Sequence, residues 1–356
     1  MIKLKGNIFN HKFKALILIL FMILFGQSFL SFGQEDINKK KFELGKLKSG
    51  SPNPGKPTDV QVGMLVIDID EISDSDQSFT VNFFYVLRWR DTRLAHDQGD
   101  VMIQPLDSIW NPRIQLTNQQ KVWSTFPKTV SISRDGLVTY RQRVWGNFSQ
   151  PLKLHDFPMD EQVFTITMAA AGYNHNDVSF IINDSLAYVT RTPSIADWKI
   201  LSHKAFKDDL QIIPSRPGVA SVSLSFVAKR YLGYYVFTII IPLILIMLMA
   251  SIIFWLPATD IGHRVSVSIT SMLTVIAYRF MITNSLPVIS YLTRLDKYIL
   301  FSTVLIFSTL FYSILVKHKG DVKGVEFAAK IDGKAKVWYP IIIILATALT
   351  LILGVI

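Results

Sequence analysis

The second half of the chain carries four long apolar runs, the first beginning at residue 234 and the last reaching residue 356. At 1.5 Å per residue, a helix over any of these runs is ~27–34 Å long, which is about the thickness of a bilayer's hydrocarbon core. We therefore predict an all-α domain over 231–356 with four transmembrane helices. Their expected positions are about 234–256, 264–286, 297–316 and 338–356, with a cytoplasmic linker at 317–337.

Residues 34–230 contain no run long enough to span a membrane. Apolar and polar side chains alternate instead, as over 79–89, 164–168 and 222–228. Alternation with a period of two places the apolar side chains on one face of a half-buried strand. Many short strands separated by turns predict an antiparallel, immunoglobulin-like β-sandwich.

The first 33 residues begin with a basic stretch, continue with a short apolar run and end in small and polar residues. This order is typical of a secretory signal peptide, and we expect cleavage near Gly33. An uncleaved membrane anchor is the alternative, although the apolar run is shorter than the ~20 residues that a span requires.

Half of the 356 residues are hydrophobic, 18% are charged, and cysteine is absent. This composition excludes a disordered chain and a disulfide-stabilised miniature protein. The net charge is +10, and lysines are concentrated between residues 317 and 336. Because basic loops mark the cytoplasmic side of a membrane, we interpret this excess as a sign of orientation and expect no nucleic-acid partner. The β domain and the C-terminus are then expected on the outer side of the plasma membrane. In cells with two membranes, the plasma membrane is the inner one.

In the second apolar run, the side chains on one side of the predicted helix change in chemical character along its length. Positions three and four apart lie on one side of a helix, and the side chains there change from hydroxyls through apolar groups to an amide: Ser266, Thr270, Leu273, Ala277, Phe280 and Asn284. Such a gradient fits the lining of an ion pore, which requires a ring of subunits. The alternative is that the hydroxyls join neighbouring helices within a bundle.

Several short motifs, in order, resemble those of a prokaryotic pentameric ligand-gated ion channel of the Cys-loop receptor superfamily. They are W-x-D-x-R-L at 89–94, I-W-x-P at 109–112, S-x-D-G at 133–136, F-P-M-D-x-Q at 157–162, Arg230 just before the first span, and Pro242 within it. The resemblance implies a homopentamer that conducts monovalent ions through a membrane and opens when a small agonist or a proton binds between β-sandwiches.

At several positions this sequence departs from the family's pattern. The two positions of the family's bridged cysteines hold Gln150 and Phe164. At the positions where the family surrounds an agonist with aromatic rings, this sequence keeps only Phe84 and Phe206, and Tyr173 is the aromatic residue nearest to a third position. These three are the candidate agonist-binding residues. Several aromatic faces are needed to hold a quaternary amine, so an acetylcholine-like agonist is not expected.

The resemblance further implies that Asp74, Asp160 and Arg230 meet at the membrane-facing end of the sandwich, above the loop that contains Pro287. A partly buried set of an arginine and carboxylates resists separation. It could couple the ligand-binding domain to the pore, or it could serve stability alone.

Three residues are expected at the inner mouth of the pore: Asp260, His263 and Arg264. The family's anion-selective Pro-Ala-Arg motif is absent, and so is the carboxylate that its cation-selective members place next to the arginine. The remainder of the second span resembles a cation channel, so we expect cation selectivity.

The sequence offers no metal-ligand spacing among its histidines, no phosphate-binding loop and no nucleophile elbow, so we expect no enzyme, metal or cofactor. A non-conducting receptor whose helices signal to a partner, and an anion channel of the same family, are the alternatives to a cation channel.

Overall fold

The computed structural model describes residues 50–97, 99, 101–211, 218–283 and 289–352, with the side chains of 283, 351 and 352 excepted. The expected signal peptide, Asn284 and Pro287 therefore lie outside the described residues. Eleven described strands precede four described helices. The strands are β1 (Thr58–Ser73), β2 (Ser78–Arg90), β3 (Val101–Pro105), β4 (Ile114–Leu116), β5 (Gln119–Ser124), β6 (Thr129–Ser133), β7 (Leu137–Ser149), β8 (Glu161–Ala170), β9 (Val178–Val189), β10 (Trp198–Leu210) and β11 (Val219–Arg230).

The strands form two sheets. The first has the order β3-β6-β7-β2-β1-β9, with β5 also paired to β7, and the second has the order β10-β11-β8-β4. All pairs are antiparallel except β1 with β9, which run parallel. The chain enters β9 from the other sheet, and no tight hairpin fixes its direction relative to β1. The predicted β-sandwich is confirmed, with this one parallel pair added.

The sandwich core forms where the inward faces of the sheets meet. The apolar residues of the three alternating stretches are buried, as their period predicted. Four phenylalanines join the sheets: Phe79 and Phe148 from the first, and Phe164 and Phe226 from the second, with ring centroids 5.1–5.9 Å apart in the pairs that Phe79 forms. The resemblance implied a bridged cysteine at the position of Phe164, and here the Phe164 ring packs against Phe79 and Phe226.

The helices are α1 (Gly233–Phe254), α2 (Ile261–Thr283), α3 (Arg294–Lys323) and α4 (Val325–Ile352). All four are long and apolar enough to cross a membrane. A capping box of Thr293 and Asp296 starts α3, because each residue satisfies a backbone N–H of the other.

The segment expected as a linker, 317–337, has a different structure. Helix α3 continues to Lys323 and α4 begins at Val325, so Gly324, with φ of 93°, makes the only break. Lysine and alanine favour helices, and the pair Lys317–Asp321, one turn apart, is 2.7 Å long. The linker was expected because hydropathy identifies only the part of a helix that faces lipid. Helices α3 and α4 both extend beyond that part.

Candidate coupling and pore sites

Arg230, the last residue of β11, lies at the centre of a buried ion cluster. Its Nε donates to Asp160 Oδ1 at 3.0 Å, and its terminal nitrogens donate to Asp74 Oδ1 at 2.8 Å and to the Tyr235 hydroxyl at 3.3 Å. Arg230 is 4% exposed and Asp160 is also buried. The structure thus brings together the three charged residues that were expected to meet, and it joins them to the first turn of α1.

Aromatic rings enclose the same guanidinium. Its central carbon lies 4.1 Å from the ring centroid of Trp198 and 4.8 Å from that of Phe157. Cation–π contact stabilises a charge that has been removed from water. Trp198 and Tyr235 were not expected at this site, because no motif in the sequence links either residue to Arg230.

The surroundings within the cluster shift the pKa values of Asp74 and Arg230. Burial raises the pKa of Asp74 above its ordinary value, and the hydrogen bond from Arg230 offsets only part of this effect. Burial lowers the pKa of Arg230, but the hydrogen bonds to Asp160 and Asp74 outweigh it and raise the pKa overall. Arg230 therefore stays charged at any physiological pH, while Asp74 takes up a proton more readily than a solvent-exposed aspartate does.

A second contact joins the sandwich to the helices through the segment between β7 and β8. His155 stacks on Tyr291 with ring centroids 3.9 Å apart, and the Leu154 N–H donates to the Tyr291 hydroxyl at 3.0 Å. Arg294 pairs with Asp156 at 2.7 Å, and its backbone N–H donates to the His155 carbonyl at 3.1 Å. Tyr291 belongs to the loop between the second and third spans, which was expected to lie beneath the cluster and pass its motion on, and Arg294 is the first residue of α3.

The stripe expected to line a pore lies on an exposed face of α2. Five of its residues, Ser266, Thr270, Leu273, Ala277 and Phe280, are exposed in the single chain, and the sixth, Asn284, is not described. The opposite face packs into the bundle through Ser268, Ser271 and Val275. Thr309 of α3 donates to Ser268 at 3.2 Å. The hydroxyls that join neighbouring helices are therefore on the buried face, separate from the stripe.

Arg264 does not lie at the inner mouth with its expected neighbours. It is 0% exposed and forms a two-pronged ion pair with Asp332 of α4, with one of the two contacts 3.2 Å long. Its Nε also donates to the Leu256 carbonyl at 3.2 Å, and Tyr312 donates to Asp332 at 2.9 Å. The side chain turns inward because the buried partner is there, so its expected place at the mouth is corrected to the interior of the bundle.

The other two residues expected at the inner mouth lie side by side, and both are exposed. His263 Nδ1 is 2.8 Å from Asp260 Oδ1, and both side chains are exposed. The hydrogen bond from His263 lowers the pKa of Asp260, although slight desolvation opposes it. A carboxylate therefore remains ionised beside the first turn of α2.

The three residues expected at an agonist site lie in two separate sheets. Phe84 is on β2, half-buried, with its ring 6.2 Å from that of Phe126. Tyr173 follows β8 and Phe206 is on β10, both associated with the second sheet. Phe84 therefore lies on a different sheet from Phe206, and Tyr173 lies in the loop after a strand of the second sheet.

Two family models match this chain. One, described as the neurotransmitter-gated ion-channel ligand binding domain, matches residues 46–212, and the other, described as the neurotransmitter-gated ion-channel transmembrane region, matches residues 239–319. The first covers most of the sandwich and the second covers most of α1, all of α2 and most of α3, so together they span well over half of the chain. These domains belong to ligand-gated channels, which are multi-pass membrane proteins and not enzymes. The chain therefore belongs to the superfamily of neurotransmitter-gated, or Cys-loop, ligand-gated ion channels.

Proposed function

We propose that this chain is a prokaryotic channel subunit, and that five copies surround a cation-conducting pore lined by the exposed stripe of α2. The proposal rests on one observation, namely that one face of that helix is buried and the other is exposed. Its inward face is buried and hydrogen-bonded to α3, while the stripe from Ser266 to Phe280 is left exposed by the part of the chain that the structure describes. Hydroxyls at one end can replace part of an ion's hydration, and Leu273 with Phe280 can close the path by excluding water.

Cation selectivity is supported by the charges beside the first turn of α2. Arg264 is buried and neutralised by Asp332, so its charge is removed from the proposed permeation path. Asp260 remains exposed and ionised. A ring of carboxylates at a pore mouth attracts cations and repels anions.

A small agonist, or a proton, is proposed to open the channel by binding between sandwiches. Phe84 on one subunit and Tyr173 with Phe206 on the next would then form one site from two half-sites. The agonist shifts the closed–open equilibrium only by its higher affinity for the open state. The Arg230 cluster and the contact of His155 with Tyr291 join the sandwich to the helices and are the proposed couplers.

The proposed setting is the plasma membrane, with the sandwich and the C-terminus outside. The lysines near the break at Gly324 support this orientation, because basic segments stay on the cytoplasmic side. The short connection between α3 and α4 supports a prokaryotic member, since it leaves no room for a separate cytoplasmic domain.

The deciding experiment is current recording from the purified full chain in liposomes during steps of pH and application of small amines. Reversal potentials in sodium and chloride gradients distinguish the proposed cation channel from an anion channel. Absence of current under every stimulus, despite correct insertion and measurable agonist binding, would favour a non-conducting receptor. Cross-linking of the purified protein determines the number of subunits.

A further inference from the structure

Helix α1 is irregular near its start, where it contains Pro242. Residues Val236–Ile240 form a π-helical turn, in which the Ile241 N–H donates to the carbonyl of Val236, five positions earlier. Because proline has no N–H, the carbonyl of Thr238, four positions before Pro242, loses the donor that an α-helix ordinarily provides. A carbonyl without a donor is costly in a membrane, and a side chain of a neighbouring helix can satisfy it.

A tyrosine of the proposed pore helix provides such a donor. The hydroxyl of Tyr278, on α2, donates to the Thr238 carbonyl at 2.5 Å. The next carbonyl, that of Ile239, lies 3.3 Å from the same hydroxyl. The ring of Tyr278 is half-buried and packs against buried apolar residues. Tyr278 thus supplies, from 40 positions further along the chain, a donor in place of the N–H that Pro242 lacks.

This contact lies between the Arg230 cluster and the exposed stripe of α2. On α1, the Tyr235 hydroxyl accepts a hydrogen bond from Arg230 at 3.3 Å. Tyr235 precedes Thr238 by about one helical turn. On α2, Tyr278 directly follows Ala277, which belongs to the stripe. A series of contacts therefore runs from the last residue of β11, through the first turns of α1, to the helix that carries the stripe.

We propose that Tyr278 is a positioning residue for channel opening, because its hydroxyl replaces the N–H that Pro242 lacks and so joins the pore helix to α1. When the Arg230 cluster displaces the start of α1, the hydrogen bond at Thr238 moves α2 with it. The part of this inference that concerns opening rests on the proposed channel function. The part that concerns the hydrogen bond, and its dependence on Pro242, does not.

The first experiment is a double-mutant cycle on the purified full chain in detergent, measured as the midpoint of thermal unfolding. Tyr278→Phe removes only the hydroxyl, and we expect the midpoint to fall by about 2 °C or more, because a hydrogen bond between helices is lost. Pro242→Ala restores a backbone N–H four positions after Thr238. In that background Tyr278→Phe should have a much smaller effect, because the carbonyl keeps a donor.

Tyr339→Phe is the matched control. Tyr339 is a buried tyrosine of α4, and its hydroxyl has no hydrogen-bond partner among the residues that the structure describes. Removal of that hydroxyl should leave the midpoint unchanged or raise it. Pro242→Leu restores the same N–H and replaces Pro242→Ala if the latter does not fold. An equal fall for Tyr278→Phe in both backgrounds, or a fall no larger than that of Tyr339→Phe, would overturn the dependence of Tyr278 on Pro242.

The second experiment is current recording from liposomes during steps of pH and application of ethylamine. We expect Tyr278→Phe to need about fivefold more of the stimulus that opens the wild type. Addition of Pro242→Ala should remove this difference, so that the double variant opens at the same stimulus as Pro242→Ala alone. A hydrogen bond that served stability alone would lower the unfolding midpoint and leave the required stimulus unchanged.

Opening of Tyr278→Phe at the wild-type stimulus would overturn its role in opening. A wild type that carries no current would overturn the proposed function together with that role, whereas the unfolding cycle would still decide the hydrogen bond. The two failures are therefore distinguishable.

Discussion

Arg264 and Asp332 form a buried ion pair that ties the first turn of α2 to α4, across 68 positions of the sequence. The hydroxyl of Tyr312 donates to the same carboxylate, so α3 takes part as well. This network fixes one end of the proposed pore helix against the rest of its own subunit. We therefore expect this end of α2 to move less than its other end.

Loss of this ion pair should strongly destabilise the helical domain. Asp332→Asn leaves the buried Arg264 without its counter-charge, which costs about 3–5 kcal/mol. We expect a clear fall in the thermal unfolding midpoint of the protein in detergent. Asp321→Asn is the control, because the Asp321–Lys317 pair lies at the surface, where such pairs contribute about 1 kcal/mol or less. Equal shifts for the two variants would contradict the buried role of Asp332.

Leu273 should hold the proposed gate closed. It is 62% exposed in the single chain, and a ring of leucines excludes water from a narrow pore. We expect Leu273→Ser to give a leak current, or opening at about tenfold less stimulus, in liposome recordings. Leu345→Ser on α4 is the matched control, because Leu345 is also 62% exposed. A normal closed state in Leu273→Ser, or an equal leak in Leu345→Ser, would remove Leu273 from the gate.

Arg230 should transmit opening from the sandwich to α1. Arg230→Lys keeps the charge but loses the planar fork that reaches Asp160 and Asp74 together. We expect this variant to need about tenfold more of whatever stimulus opens the wild type. Lys229→Gln is the control, since Lys229 pairs with Glu161 at the surface. Surface labelling must first show equal amounts of the variants and the wild type in the membrane. Normal opening of Arg230→Lys would then restrict the cluster to a structural role.

The Asp74 carboxylate should make stability depend on pH in a defined direction. Burial raises its pKa in the folded protein, so the folded state holds this proton more tightly than the unfolded state. Its contribution to stability is therefore full below the ordinary value of 3.8 and is lost as pH rises through the folded pKa. Relative to Asp74→Asn, the wild type should lose unfolding temperature as the pH rises above 3.8, the ordinary pKa of this carboxyl. A gain as the pH rises would show that ionised Asp74 is stabilised instead.

Local patterns in the sequence determined the two-domain architecture. Alternation along β2, β8 and β11 predicted which side chains fill the sandwich core, because a strand's side-chain period fixes which face is buried. The lengths of the apolar runs predicted four helices, because the bilayer sets the length of a span. The positions of charge were less informative: the lysines of 317–336 lie on helices, since helix formation there does not require an apolar surface.

Only the tertiary structure decided which charged side chains face inward. Arg264 and His263 are neighbours in the sequence, yet one is buried against Asp332 and the other is exposed beside Asp260. The contact of His155 with Tyr291 was likewise decided there. Such pairs join residues far apart in the chain, and no local period records them, because the free energy of a buried charge depends on what the whole fold brings next to it.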